Sequence, residues 1–406
     1  MDFFKQYFDY VGETEAPALY HRWCAVSLVG AMLGRQVHIP FGHGKIYPNQ
    51  YIMLMGSPGA RKSSAINIGK KLLASTGYKR FAPDRTSKER FLMDIRQHTD
   101  EDFETDLELL AFDAPSELYV VAEEFTDFVG QGGMEFMTML TKLWDNMEKY
   151  EHPKIHGKSI VVEKPTVNIL GGNTVQGLAL ALPPEALGNG FMSRLIFVHA
   201  EPTGKKITFP KPVCQDTMTA LTSHLLSIKE EIKGAITYSK DSLHVLDRLY
   251  KEFVDVEDSR FKHYGSRRFT HLLKLSMIIA VSGLKHIIEE EDVLKANTLL
   301  HYTELRMPKA LGEFGKSKYS DVSNTIIDML SKTHKPLSMN EVWKQVAKDL
   351  NKISELGDIM KNLVTSGKVQ VVTIAGKQGY MPLHATASTW DESLLLEDFL
   401  TEGELL

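Results

Sequence analysis

Between the apolar run Tyr51-Ile52-Met53-Leu54-Met55 and a helical pattern that begins at Ser63 lies the segment Gly56-Ser57-Pro58-Gly59-Ala60-Arg61-Lys62-Ser63-Ser64. An apolar run that feeds directly into a glycine loop and then a helix predicts a buried strand, a tight loop and a helix whose N-terminus faces that loop. Such a loop curls its backbone N–H groups around a polyphosphate, with the positive end of the helix behind them. Lys62 then reaches the β- and γ-phosphates, and the Ser63 hydroxyl completes a magnesium shell. The expected ligands are ATP and Mg2+, held by residues 56–64. Arg61 stands where the common pattern has glycine, so either the loop geometry accommodates a side chain there or Arg61 itself meets a phosphate.

ATP hydrolysis also requires a carboxylate near the metal and a second one to activate water, usually at the end of a buried strand. The run Leu118-Tyr119-Val120-Val121-Ala122 ends in Glu123-Glu124, which assigns Glu123 to the magnesium side and Glu124 to the water. A further apolar run, Val167–Leu170, ends in Gly171-Gly172-Asn173-Thr174, and Asn173 can orient the attacking water without titrating. In Gly190-Phe191-Met192-Ser193-Arg194-Leu195 an arginine precedes another apolar strand, where it suits the nucleotide of a neighbouring subunit; that role implies an oligomer.

The 406 residues suggest two or three units with substantial cores. Residues 1–36 read as helical, with an apolar face from Ala25 to Leu33. Residues 37–210 alternate apolar strands with helices, the pattern of an α/β core with a mainly parallel sheet. Helical periodicity without a strong strand dominates 211–315, a helical lid subdomain. Residues 320–385 read as helices Asp321–Ser331, Met339–Leu350 and Ser354–Ser366, then strand Val369–Ile374 and a glycine turn. This is the order of a winged helix, and the second helix is opened by the capping box Ser338 to Glu341. Eight lysines against four acids between Lys332 and Lys377 suit nucleic acid.

Residues 386–406 form an acidic tail. From Trp390 onward there are six acids and no Lys or Arg, so the net charge of −5 conceals a body at +1. Self-repulsion predicts a mobile tail, and its interleaved Trp390, Leu394, Leu395, Leu396, Phe399 and Leu400 suit docking to a replication protein or competition with DNA for the chain's own basic surface. Cys24 and Cys214, without a Cys-x-x-Cys pair, exclude a disulfide framework and a cysteine-based zinc ribbon. No run reaches the roughly 20 apolar residues of a membrane span, and the start lacks signal character. The expected location is the cytoplasm, that of the host if the chain is phage-encoded.

The order of these pieces resembles the ATPase core of the minichromosome maintenance (MCM) replicative helicases, a branch of the AAA+ superfamily, and their short relatives in phage and plasmid replication. That family tolerates a non-glycine before the P-loop lysine, ends its acidic strand in Asp-Glu-Phe where this chain has Glu123-Glu124-Phe125, and ends its sensor strand in two small residues and Asn. Its finger is Ser-Arg-Phe, against Ser193-Arg194-Leu195 here. The resemblance covers roughly residues 50–385. It implies a second sensor arginine at the start of a lid helix, matched by Arg267 in Ser266-Arg267-Arg268-Phe269. It also implies a channel hairpin over 154–162 in which Lys154 and Lys158 grip DNA phosphates, and a homo-oligomeric ring, six subunits in the family. The family's large N-terminal DNA-binding half with its zinc module has no counterpart in the 55 residues before Gly56.

The reading that follows is an ATP-dependent, ring-forming DNA helicase or translocase in the replication of a phage or mobile element, acting on single-stranded or forked DNA. The alternative is a switch ATPase, a helicase loader or replication initiator that remodels a partner without unwinding DNA.

Overall fold

The computed structural model describes residues 2–96, 115–130, 133–153, 159–181, 190–210, 214–256, 258–312, 318–333, 335–350, 352–365, 368–374, 377–383 and 391–396. The chain divides into two compact units. One comprises Met1–Phe314 with Glu392–Leu406, and the other Gly315–Asp391.

The first unit is α/β. Two N-terminal helices, α1 (Phe3–Val11) and α2 (Ala18–Leu33), are separated by a break ahead of Pro17. Asp2 caps α1 by accepting from the Phe4 and Lys5 amides. Where the sequence predicts one apolar face, α2 is buried on all sides from Leu19 to Leu33, as expected of a helix that runs through a core. It packs on α3 (Lys62–Ser75) and on the central sheet.

After the hairpin β1 (Val37–Phe41) and β2 (Gly44–Ile46), the chain enters β3 (Tyr51–Met55), all five residues of which are buried. Beyond α3 come α4 (Lys88–Arg96), β4 (Glu117–Ala122), α5 (Phe125–Val129) and α6 (Gly133–Trp144). The antiparallel pair β5 (Lys149–His152) and β6 (Ile160–Glu163) leads to β7 (Thr166–Asn173), α7 (Val175–Ala181) and β8 (Leu195–His199). Four of these strands form one parallel sheet in the order β4-β7-β3-β8, and a parallel bridge from Phe81 to Tyr119 adds a one-residue member beyond β4. Strands buried on both faces need no polar alternation, which is why these runs are continuously apolar. β7 continues through Gly171-Gly172 to Asn173, three residues further than its apolar run.

The helical part that follows contains α8 (Gln215–Glu231), α9 (Lys240–Glu252), α10 (Lys262–Ser282), α11 (Glu290–Glu304) and α12 (Met307–Leu311). Three short strands that helical periodicity concealed join it: β9 (Gly234–Ala235) pairs with β1, and β10 (Thr237–Tyr238) pairs with β11 (Ile287–Ile288).

The second unit consists of α13 (Lys318–Thr333), α14 (Met339–Val346), α15 (Ile353–Thr365) and the hairpin β12 (Val369–Ile374) and β13 (Lys377–Pro382). Its core gathers Val322, Ile326, Leu330, Val342, Val346, Leu356, Ile359 and Leu363. The Ser338–Glu341 capping box is formed at the start of α14.

The expectation of a mobile tail does not hold for its described part. The turn Glu392–Leu394 lies on α11, with Leu394 buried. Asn297 donates to the Leu394 carbonyl at 3.0 Å, and the Leu396 amide donates to Thr298 Oγ1 at 2.8 Å. Apolar burial and two hydrogen bonds outweigh the repulsion that the acid count emphasised. No helix among the described residues is long and apolar enough to cross a membrane.

Candidate nucleotide site

The loop Gly56–Arg61 leaves the C-terminal end of β3, which has β7 on one side and β8 on the other. In a parallel sheet that crevice is where ligands bind. Two glycines are required here by close approach. A side chain at Gly56 would run into the Tyr20 hydroxyl and come within 2.8 Å of the Ala200 carbonyl, and one at Gly172 would come within 2.6 Å of the Glu123 carbonyl. Tyr20 Oη lies 2.7 Å from the Met55 carbonyl and 3.0 Å from that of Ala200, so α2 holds the ends of β3 and β8 together.

Ser57, Pro58 and Gly59 form the exposed crest of the loop, while Ala60 is buried beneath it. Lys62 is buried and donates to the Gly56 carbonyl at 3.0 Å and the Ser57 carbonyl at 3.1 Å. Burial pulls its pKa below the ordinary lysine value, and the Glu124 carboxylate opposes that shift. Ser63 and Ser64 occupy the first turn of α3, at its positive end. Arg61 sits just ahead of that turn in the left-handed region, φ 62°, and its guanidinium pairs with Glu15 at 2.5 Å. Glu15 also accepts from the Ile207 amide at 2.9 Å; that bond, and then Arg61, draw its pKa below the usual carboxylate range. Arg61 is therefore bonded to the segment before α2, and through Glu15 to the chain beyond β8.

Glu123 and Glu124 leave β4 beside this loop. Glu123 accepts from Asn67 of α3 at 2.8 Å. Glu124 is raised above the usual carboxylate range by partial burial, with Asp127 and Glu123 adding to the rise and Lys62 opposing it. Asn173, at the end of β7, is fully buried. Its Oδ1 accepts from the Thr174 amide at 3.1 Å, and its Nδ2 has no hydrogen-bond partner among the described residues. A buried amide donor without a partner costs roughly 1–3 kcal/mol, and a phosphate oxygen or a water at this crevice is what such a donor fits.

The cradle of Gly56 and Gly172, the buried ammonium of Lys62, the two carboxylates and the orphaned Asn173 donor fit a magnesium nucleotide. Ser63, in the first turn of α3, and Glu123, which accepts from Asn67 of the same helix, are the oxygen donors at this edge that a magnesium ion would use. Sequence reasoning missed four further groups at this edge. His199, at the end of β8, is held below the usual histidine range by burial, Glu201 opposing and Lys309, Arg306 and Lys62 reinforcing it. Arg306 and Lys309 flank the start of α12, which packs on β8. With Glu15, they come from segments remote in sequence, and no local pattern marks them.

Two predicted residues lie elsewhere. Tyr51 of β3 pairs with Leu195 and Met55 with His199, so Arg194 is at the opposite end of the sheet from its own glycine loop, roughly 16 Å along the strands. It is 5% exposed, and it donates to Asp145 Oδ2 at 2.6 Å and to the Gly190 carbonyl at 2.9 Å. Arg267 is at the same end, 3.7 Å from Asp145 Oδ1. Its neighbour Arg268 is buried and committed to Glu304 at 2.8 Å and to Asn297. Lys154 and Lys158 lie outside the described residues, as do Gly376 and most of the acidic tail.

The fold and this crevice define an α/β protein with a parallel sheet and a glycine loop at its carboxyl edge. No protein-family model and no curated protein matches the chain.

Proposed function

We propose that this protein is an ATPase with an AAA+ type of core, whose chemistry is carried out by the groups gathered at the carboxyl edge of its sheet. The observation that carries the reading is the buried Nδ2 of Asn173, without a partner among the described residues, at the end of the strand that lies between the glycine-loop strand and the acidic strand. In support, the sheet order places the Phe81 bridge, β4, β7, β3 and β8 side by side. The acidic pair and Asn173 thereby flank the loop on one side, and His199 flanks it on the other.

In this reading the loop amides and Lys62 bind the β- and γ-phosphates, and Asn173 orients water in line with the γ-phosphate. Glu124, its pKa raised by partial desolvation and by the neighbouring carboxylates, accepts the proton of that water. Bound Mg2+ supplies charge neutralisation of the phosphates, held by Ser63 and Glu123. Arg194 cannot reach its own crevice, so it acts on the nucleotide of a neighbour, which makes the working form an oligomer. The order of three helices and an antiparallel hairpin supports a winged-helix second unit, whereas ring formation, translocation on DNA and a role in phage or mobile-element replication rest on the resemblance to MCM-like helicases.

The test is ATP turnover with and without single-stranded DNA, beside strand displacement on a forked duplex. Lys62→Ala should abolish turnover. Glu124→Gln should bind ATP while hydrolysis falls by about 100-fold or more. Turnover by Glu124→Gln at the parent rate would remove Glu124 from the mechanism, and ATPase activity without strand displacement would favour the switch ATPase.

A further inference from the structure

At the sheet edge away from the glycine loop, Trp144 ends α6 with three cations on its indole: Lys274 Nζ at 3.9 Å, Arg194 at 5.4 Å and Arg267 at 5.9 Å from a ring centroid. Among the described residues one carboxylate serves them. Asp145 gives Oδ2 to Arg194 and Oδ1 to Arg267, while Lys274 bonds only neutral oxygens of Asn49, its carbonyl at 3.0 Å and its Oδ1 at 2.6 Å. Two guanidiniums that share one carboxylate leave a surplus positive charge, with Arg194 buried and Arg267 half-exposed beside it, and a buried charge is costly unless it is matched. Two donors remain unmatched as well, since buried Arg194 Nε and Trp144 Nε1 have no hydrogen-bond partner among the described residues.

Exposure is arranged so that the carboxylate is the part open to exchange. The Asp145 side chain is 44% exposed and that of Arg267 38%, against 7% for Arg194. The turn that carries Asp145 is anchored independently of it, because Asn146, in a left-handed conformation, donates to Asn49 Oδ1 at 2.6 Å and to the Trp144 carbonyl at 3.1 Å. The Asp145 side chain can therefore swing away without unravelling the end of α6.

We propose that Asp145 is a built-in counter-ion occupying a polyphosphate site formed by Arg194 and Arg267, and that the phosphates carried by a second copy of this chain displace it. A triphosphate matches the two arginines better than one carboxylate does, because it offers more acceptor oxygens and more negative charge to the same forked donors. The isolated chain thus keeps its arginines paired and ordered, and each forms its catalytic contact only when a neighbour arrives. The identity of the carrier rests on the ATPase reading above; the anion site does not.

The first experiment uses full-length Lys62→Ala, which weakens the chain's own phosphate loop, with tripolyphosphate as the probe in calorimetric titration. Adding Asp145→Asn should tighten tripolyphosphate binding by about tenfold, since one opposing charge is removed beside the ligand. Arg194→Ala should erase that gain. No gain, or a gain that survives Arg194→Ala, would overturn the anion site. Should Asp145→Asn fail to fold, the half-exposed Arg267 offers a second handle: Arg267→Ala on the Lys62→Ala background should weaken binding severalfold, and unchanged affinity would overturn the proposal. With Lys62 intact, Asp145→Asn should lower the protein concentration at which ATPase activity is half-maximal, and an unmoved midpoint would overturn the second copy as the carrier. Loss of the ATPase reading itself would show as turnover that survives Lys62→Ala, which leaves the titrations unaffected.

Discussion

Gly172 and Glu123 are in contact because the acidic strand and the Asn173 strand end side by side, with the Glu123 carbonyl where a Cβ on residue 172 would stand. Gly172→Ala should therefore push the carboxylate pair away from Asn173, at a folding cost of about 2 kcal/mol and with a lower kcat. Urea unfolding and steady-state ATPase rates measure the two effects separately, and a stable variant with unchanged kcat would show that the strand end tolerates displacement. Two buried histidines dictate a pH dependence. Burial lowers His21 to about 4 and His271 to about 3 from an ordinary 6.5, with Lys205 reinforcing the first and neighbouring cations the second, while the Ser193 carbonyl opposes the second. In the unfolded chain both take up protons near pH 6.5, but in the folded chain they resist until far lower. Their contribution to stability is therefore complete above pH 6.5 and is lost as pH falls toward 4, at up to about 1.4 kcal/mol per pH unit for each histidine. Thermal unfolding between pH 7.5 and 5 should show the decline, and His21→Gln should flatten it.

At the scale of elements, the segment around Leu394 is the part of the molecule whose behaviour composition misjudged. Its acids predicted repulsion, yet Leu394 is buried on α11, and Asn297 there also accepts from Arg268 of α10. The chain beyond the second unit is thus bonded to α11, the helix that carries Glu304. Leu394→Ala should detach it at a cost of about 2 kcal/mol, and hydrogen exchange at the Leu396 amide should then speed up by roughly 30-fold. An unchanged exchange rate would mean that the two hydrogen bonds hold the segment without Leu394. The short strands β9, β10 and β11 were equally hidden in the sequence, because two-residue strands carry no measurable alternation.

For the whole molecule, the separation of the glycine loop from Arg194 by the length of the sheet makes a prediction that no single site contains. Arg194→Ala should stay folded and bind nucleotide, yet lose most hydrolysis, since a group supplied from a neighbour acts on the transition state and adds little to ground-state binding. Mixing it with Lys62→Ala should restore part of the activity, because some interfaces then combine an intact loop with an intact arginine. ATPase measurements across mixing ratios, with oligomers confirmed by sedimentation, check this. Absence of any rescue would leave Arg194 with only its Asp145 pairing.

The sequence by itself determined what depends on neighbours in the chain. The strand, loop and helix around Gly56–Ser63, the apolar runs that became β4, β7 and β8, the strand Val369–Ile374 and the Ser338 capping box follow from periodicity, turn residues and caps, all of which act over a few residues. Glu123, Glu124 and Asn173 were legible for the same reason, since each ends a buried strand where a parallel sheet opens. Only the tertiary structure decided where the arginines go: Asp145 is 49 positions from Arg194, yet 2.6 Å away. Charge pairing is non-directional and long in range, so a sequence with 47 basic and 52 acidic residues admits many pairings. The packing of α6 and α10 at one end of the sheet chose Asp145 for both Arg194 and Arg267. The packing of the segment before α2 against the loop chose Glu15 for Arg61.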